Sequence, residues 1–187
     1  MMRTPALGLV APLAAALFTA MGGCAGAPPG GVTASPRDFS LDALVVVPDG
    51  SEASPSAPRS RRPGRYQLAP DGSLRVALGP GVDAETIPAL ARRLTPAERD
   101  ELYRLTGEAG LLEDDPPGRI AWGGTWQAPP VGASAIVSVT HGGRRVHVGA
   151  PLGARYGSPR VEALVDRLAA LAWEPSTPSW VSAPTDE

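Results

Sequence analysis

The chain has 187 residues, a formal net charge of −2, 43% apolar and 19% charged residues, and 22 each of Gly and Pro. That length fits one domain with tails rather than two. The charge excludes a strongly basic nucleic-acid binder. A single cysteine excludes a disulfide framework within the chain and any multi-cysteine zinc site, and two histidines leave little for a metal or a charge relay. Every basic residue is Arg, with no Lys and no Asn. The dominance of Ala, Gly, Pro, Arg and Val is what GC-rich codons produce.

Met1-Met2-Arg3 places one positive charge ahead of an uncharged run from Ala6 to Met21, which ends in Gly22-Gly23-Cys24. A basic start, a short apolar stretch and small residues before a cleavage point read as an export signal over 1–23. The run is short for a membrane span, and Pro12 interrupts it. Met21-Gly22-Gly23-Cys24 resembles the lipobox of bacterial lipoproteins, with Met where that family usually carries Leu. The resemblance implies cleavage before Cys24, diacylation of its thiol by palmitate-type chains, and anchorage on the extracytoplasmic side of the cell envelope. By resemblance to the enteric lipoprotein system, where Asp after the cysteine retains the protein at the inner membrane, Ala25 implies the outer membrane. Two or more acyl chains give a stable anchor where one does not. Cleavage removes Arg3, which takes the charge from −2 to −3. Residues 24–37 then read as a flexible tether, since 25–36 carry no charge and no apolar periodicity.

From Asp38 to Val47, Phe39, Leu41, Ala43, Val45 and Val47 alternate onto one face of a strand. Residues 50–64 read as a polar loop. Arg65–Ala69 and Ser73–Leu78 form a hairpin whose turn follows from parity. A two-residue turn would oppose Leu68 to Arg75 and mix the faces. A three-residue turn at Pro70-Asp71-Gly72 opposes Leu68 to Leu74 and Tyr66 to Val76. Thr95-Pro96-Ala97-Glu98 is a capping-box helix start, followed by Leu102, Leu105, Ala109 and Leu112 at helical spacing. Ser134–Thr140 and Arg144–Gly149 form a second hairpin. Its two-residue Gly142-Gly143 turn opposes Val139 to Val146 and Val137 to Val148. Ser158-Pro159 opens a helix with the stripe Val161, Leu164, Val165, Leu168 and Leu171. Trp173 is expected to close the core, and 174–187 reads as a loose tail. The expected fold is α+β, one domain over 38–173: an antiparallel sheet of about five strands with two helices packed on one face.

Candidate sites are few. No Gly-x-Ser-x-Gly elbow accompanies the histidines, and His141 and His147 have no Cys or second His at ligand spacing, so no catalytic or metal site is assembled and no cofactor is implied. Glu113-Asp114-Asp115 reads as a solvated helix stop. Parity points Arg65, Arg75, Arg145 and His147 to the sheet face away from the helices, with Gln67, Ser138 and Thr140. That face suits an anionic group: a head-group phosphate, an acidic glycan or a partner's carboxylates. Trp122 and Trp126 flank Gly123-Gly124-Thr125 and offer either a stacking surface or a buried lid.

Leu94-Thr95-Pro96-Ala97-Glu98 through Ala109-Gly110-Leu111-Leu112, set between two hairpins and followed by an amphipathic helix, is similar to small bacterial domains of the emfourin type across residues 64–173. The resemblance implies a strand-helix-strand-helix order and a protease-inhibitor role, and it carries over no inhibitory residue. The expected function is a lipid-anchored, non-enzymatic envelope lipoprotein. Its partners would be the membrane through Cys24, and an envelope protein or anionic ligand through the sheet face or the Trp loop. A membrane-held inhibitor is the alternative, and a hydrolase using His147 ranks last.

Overall fold

The computed structural model describes residues 34–48, 57–121, 124–129, 132–153 and 157–174. Cys24, Trp122, the export signal, the tether up to residue 33 and the tail from residue 175 lie outside the described residues. Chain order is β1 (Ser40–Val46), β2 (Gly64–Leu68), β3 (Ser73–Leu78), β4 (Ala89–Arg93), α1 (Pro96–Glu108), β5 (Ser134–His141), β6 (Arg144–Pro151) and α2 (Pro159–Leu171). All strands join one antiparallel sheet in the order β4-β3-β2-β1-β5-β6. The class is α+β, and the sheet has six strands rather than about five.

Both hairpins carry the registers that parity demands. Tyr66 faces Val76 and Leu68 faces Leu74, while Val137 faces Val148 and Val139 faces Val146. Gly142 and Gly143 have φ of 55° and 74°. A two-residue turn between right-twisted strands needs positive φ at both central positions, which Gly supplies without strain. β1 is an interior strand, paired to β2 from Leu41 opposite Leu68 and to β5 from Ser40 opposite Thr140.

Phe39, just before β1, and alternate residues of the strands (Leu41, Ala43, Val45, Tyr66, Leu68, Val137, Val139, Val146 and Val148) are buried in one core cluster. Leu102 of α1 and Val161, Leu164, Val165, Leu168 and Leu171 of α2 belong to the same cluster. Each buried Val, Leu or Phe among them contributes about 1.5–3 kcal/mol by leaving water. The α2 stripe is the expected one. On α1 the buried positions are Leu102 and Thr106, with Ala109 and Leu111 beyond the helix. Thr106 fits there because its hydroxyl donates to the Leu102 carbonyl at 2.7 Å. Leu105 and Leu112 pack against the cluster only in part.

The unexpected strand is β4, Ala-Leu-Ala-Arg-Arg. Its register places Arg92 opposite Leu74, on the core side. Arg92 is 6% exposed. Its guanidinium donates to both Glu98 oxygens at 2.8 and 3.1 Å and to the Glu174 carbonyl at 3.1 Å, so the buried charge is paired. Glu98 also accepts from the Thr95 N–H at 2.7 Å, closing the expected capping box. Burial raises its carboxyl, but the Thr95 hydrogen bonds and the Arg92 charge outweigh this and leave it below the usual range.

Two expectations are corrected. Trp173 does not close the core: it is 54% exposed, with the Arg59 guanidinium 4.6 Å from its ring centroid. The stretch read as a loop over 50–64 carries a 3-10 turn at Arg59–Arg61 within its described part. That turn docks on α2 through Ser60 to Asp166 and Arg61 to Glu162.

The two sheet edges differ. Beside β6, Gly149 N–H donates to the Gly118 carbonyl at 3.0 Å, Ile120 N–H donates to the His147 carbonyl at 2.7 Å, and Arg119 bridges Val148. This short extra segment occupies hydrogen-bonding groups that an edge strand would otherwise leave open. Gly118 has φ +79°, and a Cβ there would lie 2.6 Å from the Gly149 carbonyl oxygen. At the other edge, β4 carries the exposed Leu90.

Candidate functional site

On the face opposite the core, strand registers align Arg75, Gln67, Asp42, Ser138 and His147 in one row across β3, β2, β1, β5 and β6. Arg145 lies beside this row opposite Thr140, and Arg65 lies beside it opposite Leu44. The structure therefore brings Arg65, Arg75, Arg145 and His147 to one face, as alternation requires, but their roles differ.

Arg65 does not offer its charge to a ligand. Its Nε and Nη2 meet the two Asp42 oxygens at 3.0 and 2.6 Å, and its Nη1 donates to the Ala84 and Thr86 carbonyls at 2.6 and 2.8 Å. Its side chain is only 15% exposed. The Asp42 hydrogen bond raises the guanidinium above its ordinary value. Arg65 is thus a clamp that neutralises Asp42 and holds the 79–88 loop over the sheet. That loop is itself stiffened by Asp83, which accepts from the Thr86 hydroxyl and from the Glu85 and Thr86 N–H groups. These bonds, the Thr86 hydroxyl first, lower the Asp83 carboxyl. Gln67 Nε2 completes the Asp42 shell at 3.0 Å.

His147 is half-buried. Its Nδ1 lies 2.7 Å from the Ser138 hydroxyl. Burial first, then Arg145, lower its pKa against the opposing pull of Asp42. The neutral ring is therefore favoured, and with its proton on Nε2 the Ser138 hydroxyl donates to Nδ1. Asp42, Ser138 and His147 share the row, but the serine stands in the middle. A serine-histidine-aspartate relay needs the imidazole between the other two. The arrangement is a cross-strand hydrogen bond, and among the described residues no three His, Cys, Asp or Glu side chains come together to hold a metal.

Arg75 and Arg145 form no ion pair among the described residues. Both line a cavity of about 320 Å³ whose walls include Ser40, Asp42, Gln67, Ser138 and Thr140. Trp126 lies on the same face but outside this cavity. Its indole covers Gly149, where a Cβ would overlap the ring. The half-buried Trp126 is therefore a cover for the end of β6, and only Gly fits beneath it.

Asp42 is the residue that sequence reasoning missed, although it stands in β1 among alternating apolar residues, a position that should have raised the question of its partner. No helix among the described residues is long and apolar enough to cross a membrane. No protein-family model matches the sequence, and no curated protein matches it.

Proposed function

We propose that the chain is a lipid-anchored protein of the bacterial cell envelope, held through Cys24 on the extracytoplasmic side, preferentially of the outer membrane. Its domain serves as a non-enzymatic binding module for another envelope component. The observation that supports binding is that Arg75 and Arg145, which have no ion-pair partner among the described residues, line one cavity together with Ser40, Gln67, Ser138 and Thr140. Anchorage rests on Met21-Gly22-Gly23-Cys24 behind a short apolar run.

The first test is the mass of the mature N-terminal peptide, with membrane fractionation, for the native chain and Cys24→Ser. A diacylglyceryl-modified Cys24 in the membrane fraction, absent from the variant, is the expected result. An unmodified terminus beyond Cys24 would overturn the anchor. The second reading, a membrane-held protease inhibitor, draws on the order of strands, helix, hairpin and helix from β2 to α2. A panel of secreted metalloproteases left fully active by the purified protein would remove it.

A further inference from the structure

We infer that the cavity between Arg75 and Arg145 takes an acidic sugar chain, with carboxylates on the two guanidiniums and ring hydroxyls on the floor. This deepens the binding-module reading and rests on it. The guanidinium fork matches a carboxylate bidentately, and these two forks have no carboxylate of the described chain to occupy them. Asp42 adds no net repulsion, because Arg65 neutralises it through two hydrogen bonds. Gln67 spends an amide N–H on Asp42, which leaves its carbonyl to accept. Ser40 and Thr140 add two hydroxyls that both donate and accept. Such a floor suits a ligand rich in hydroxyls.

Geometry favours an extended ligand. Arg75 and Arg145 stand on strands four places apart, which at about 4.8 Å per strand separates their backbones by about 19 Å. Each side chain reaches in from its own end, so the pair suits two anionic groups set apart along one molecule. At about 320 Å³ the cavity lies at the small end of ligand sites, enough for a segment of a chain crossing the sheet.

Two other occupants fit less well. A bilayer surface is held by clusters of basic residues, whereas this face has two arginines without an ion-pair partner among the described residues, on a chain of net charge −2. A protein partner needs a desolvated aromatic or aliphatic anchor, and Trp126, the aromatic described on this face, is spent on Gly149.

The test is calorimetric titration of the full chain, in detergent, with oligogalacturonate and oligomannuronate, using the carboxyl-reduced neutral oligomers and phosphatidylglycerol vesicles as comparisons. Arg75→Ala and Arg145→Ala are measured alongside, with urea unfolding to show that both fold. The expected result is binding of an acidic oligomer, absent for its neutral counterpart, weakened about tenfold or more by either substitution, the scale of one charge-assisted hydrogen bond. Absence of binding by both acidic oligomers, equal binding of a neutral one, or vesicle binding in its place would overturn the inference. The binding-module reading fails separately, if a cross-linking survey of intact cells finds no envelope component whose capture depends on Arg145.

Discussion

Leu68 and Gln67 are neighbours on β2 and belong to two different kinds of order. Leu68 is buried in a cluster shared by strands and both helices, held by area removed from water and by dispersion, neither of which is directional. Gln67 is one link in a chain of directional bonds running from the 79–88 loop through Arg65 and Asp42. The first face tolerates imperfect geometry but not lost volume. The second tolerates lost volume but not a lost partner. Within the second face the same distinction recurs between Arg65, which bonds Asp42, Ala84 and Thr86, and Arg75 and Arg145, which form no ion pair among the described residues. Partners tell the clamping arginine from the two proposed to bind.

Substitutions can break this contrast. Leu164→Ala, which empties a fully buried position of α2, should cost about 2–5 kcal/mol, read as a fall in the urea midpoint with unchanged slope; a smaller loss would mean the core collapses onto the gap. Arg65→Ala should come next, at about 1–3 kcal/mol, because it strands the Asp42 carboxylate. An unmoved midpoint would show the outer face to be merely solvated. His147 should add a shallow pH dependence. Its folded pKa is below the ordinary 6.5, so its contribution is complete above 6.5 and is lost as pH falls through the lowered value. Midpoints measured from about pH 7.5 to about pH 5 should decline, and His147→Gln should flatten that decline. The smallest effect belongs to Arg75→Ala and Arg145→Ala, each within about 0.5 kcal/mol of the native chain. A larger loss in thermal or urea unfolding would assign those residues to the fold.

Period-two alternation and turn length made both hairpins legible, because a one-residue slip would expose every apolar side chain. β4 was not legible. Ala-Leu-Ala-Arg-Arg has no alternation, and its inward side chain, Arg92, is tolerable only because Glu98 and the Glu174 carbonyl meet it. Neither partner is visible from local spacing. The Arg65–Asp42 pair was hidden for a related reason: a long connection separates β1 from β2, so no turn sets their register, and the residue opposite Arg65 could not be deduced. Arg75, Arg145 and His147 were placed on the correct face by parity alone. Their availability depends on what else shares that face.

The way the chain enters its sheet has a mechanical consequence. Ser35 donates twice to Asp100 at 2.8 Å, Arg99 holds the Pro36 carbonyl at 2.8 Å, and the Asp38 carboxylate receives the Gly142 and Gly143 N–H groups at 3.0 and 2.6 Å. Only after these ties does β1 begin, with strands bonded along both of its sides. Tension applied at this end of the domain therefore meets α1 and the β5–β6 turn before it loads β1. Loaded along its axis, β1 must shear two ladders at once rather than open one bond at a time. The start of the described domain is thus fastened to two other elements before it joins a strand held on both sides.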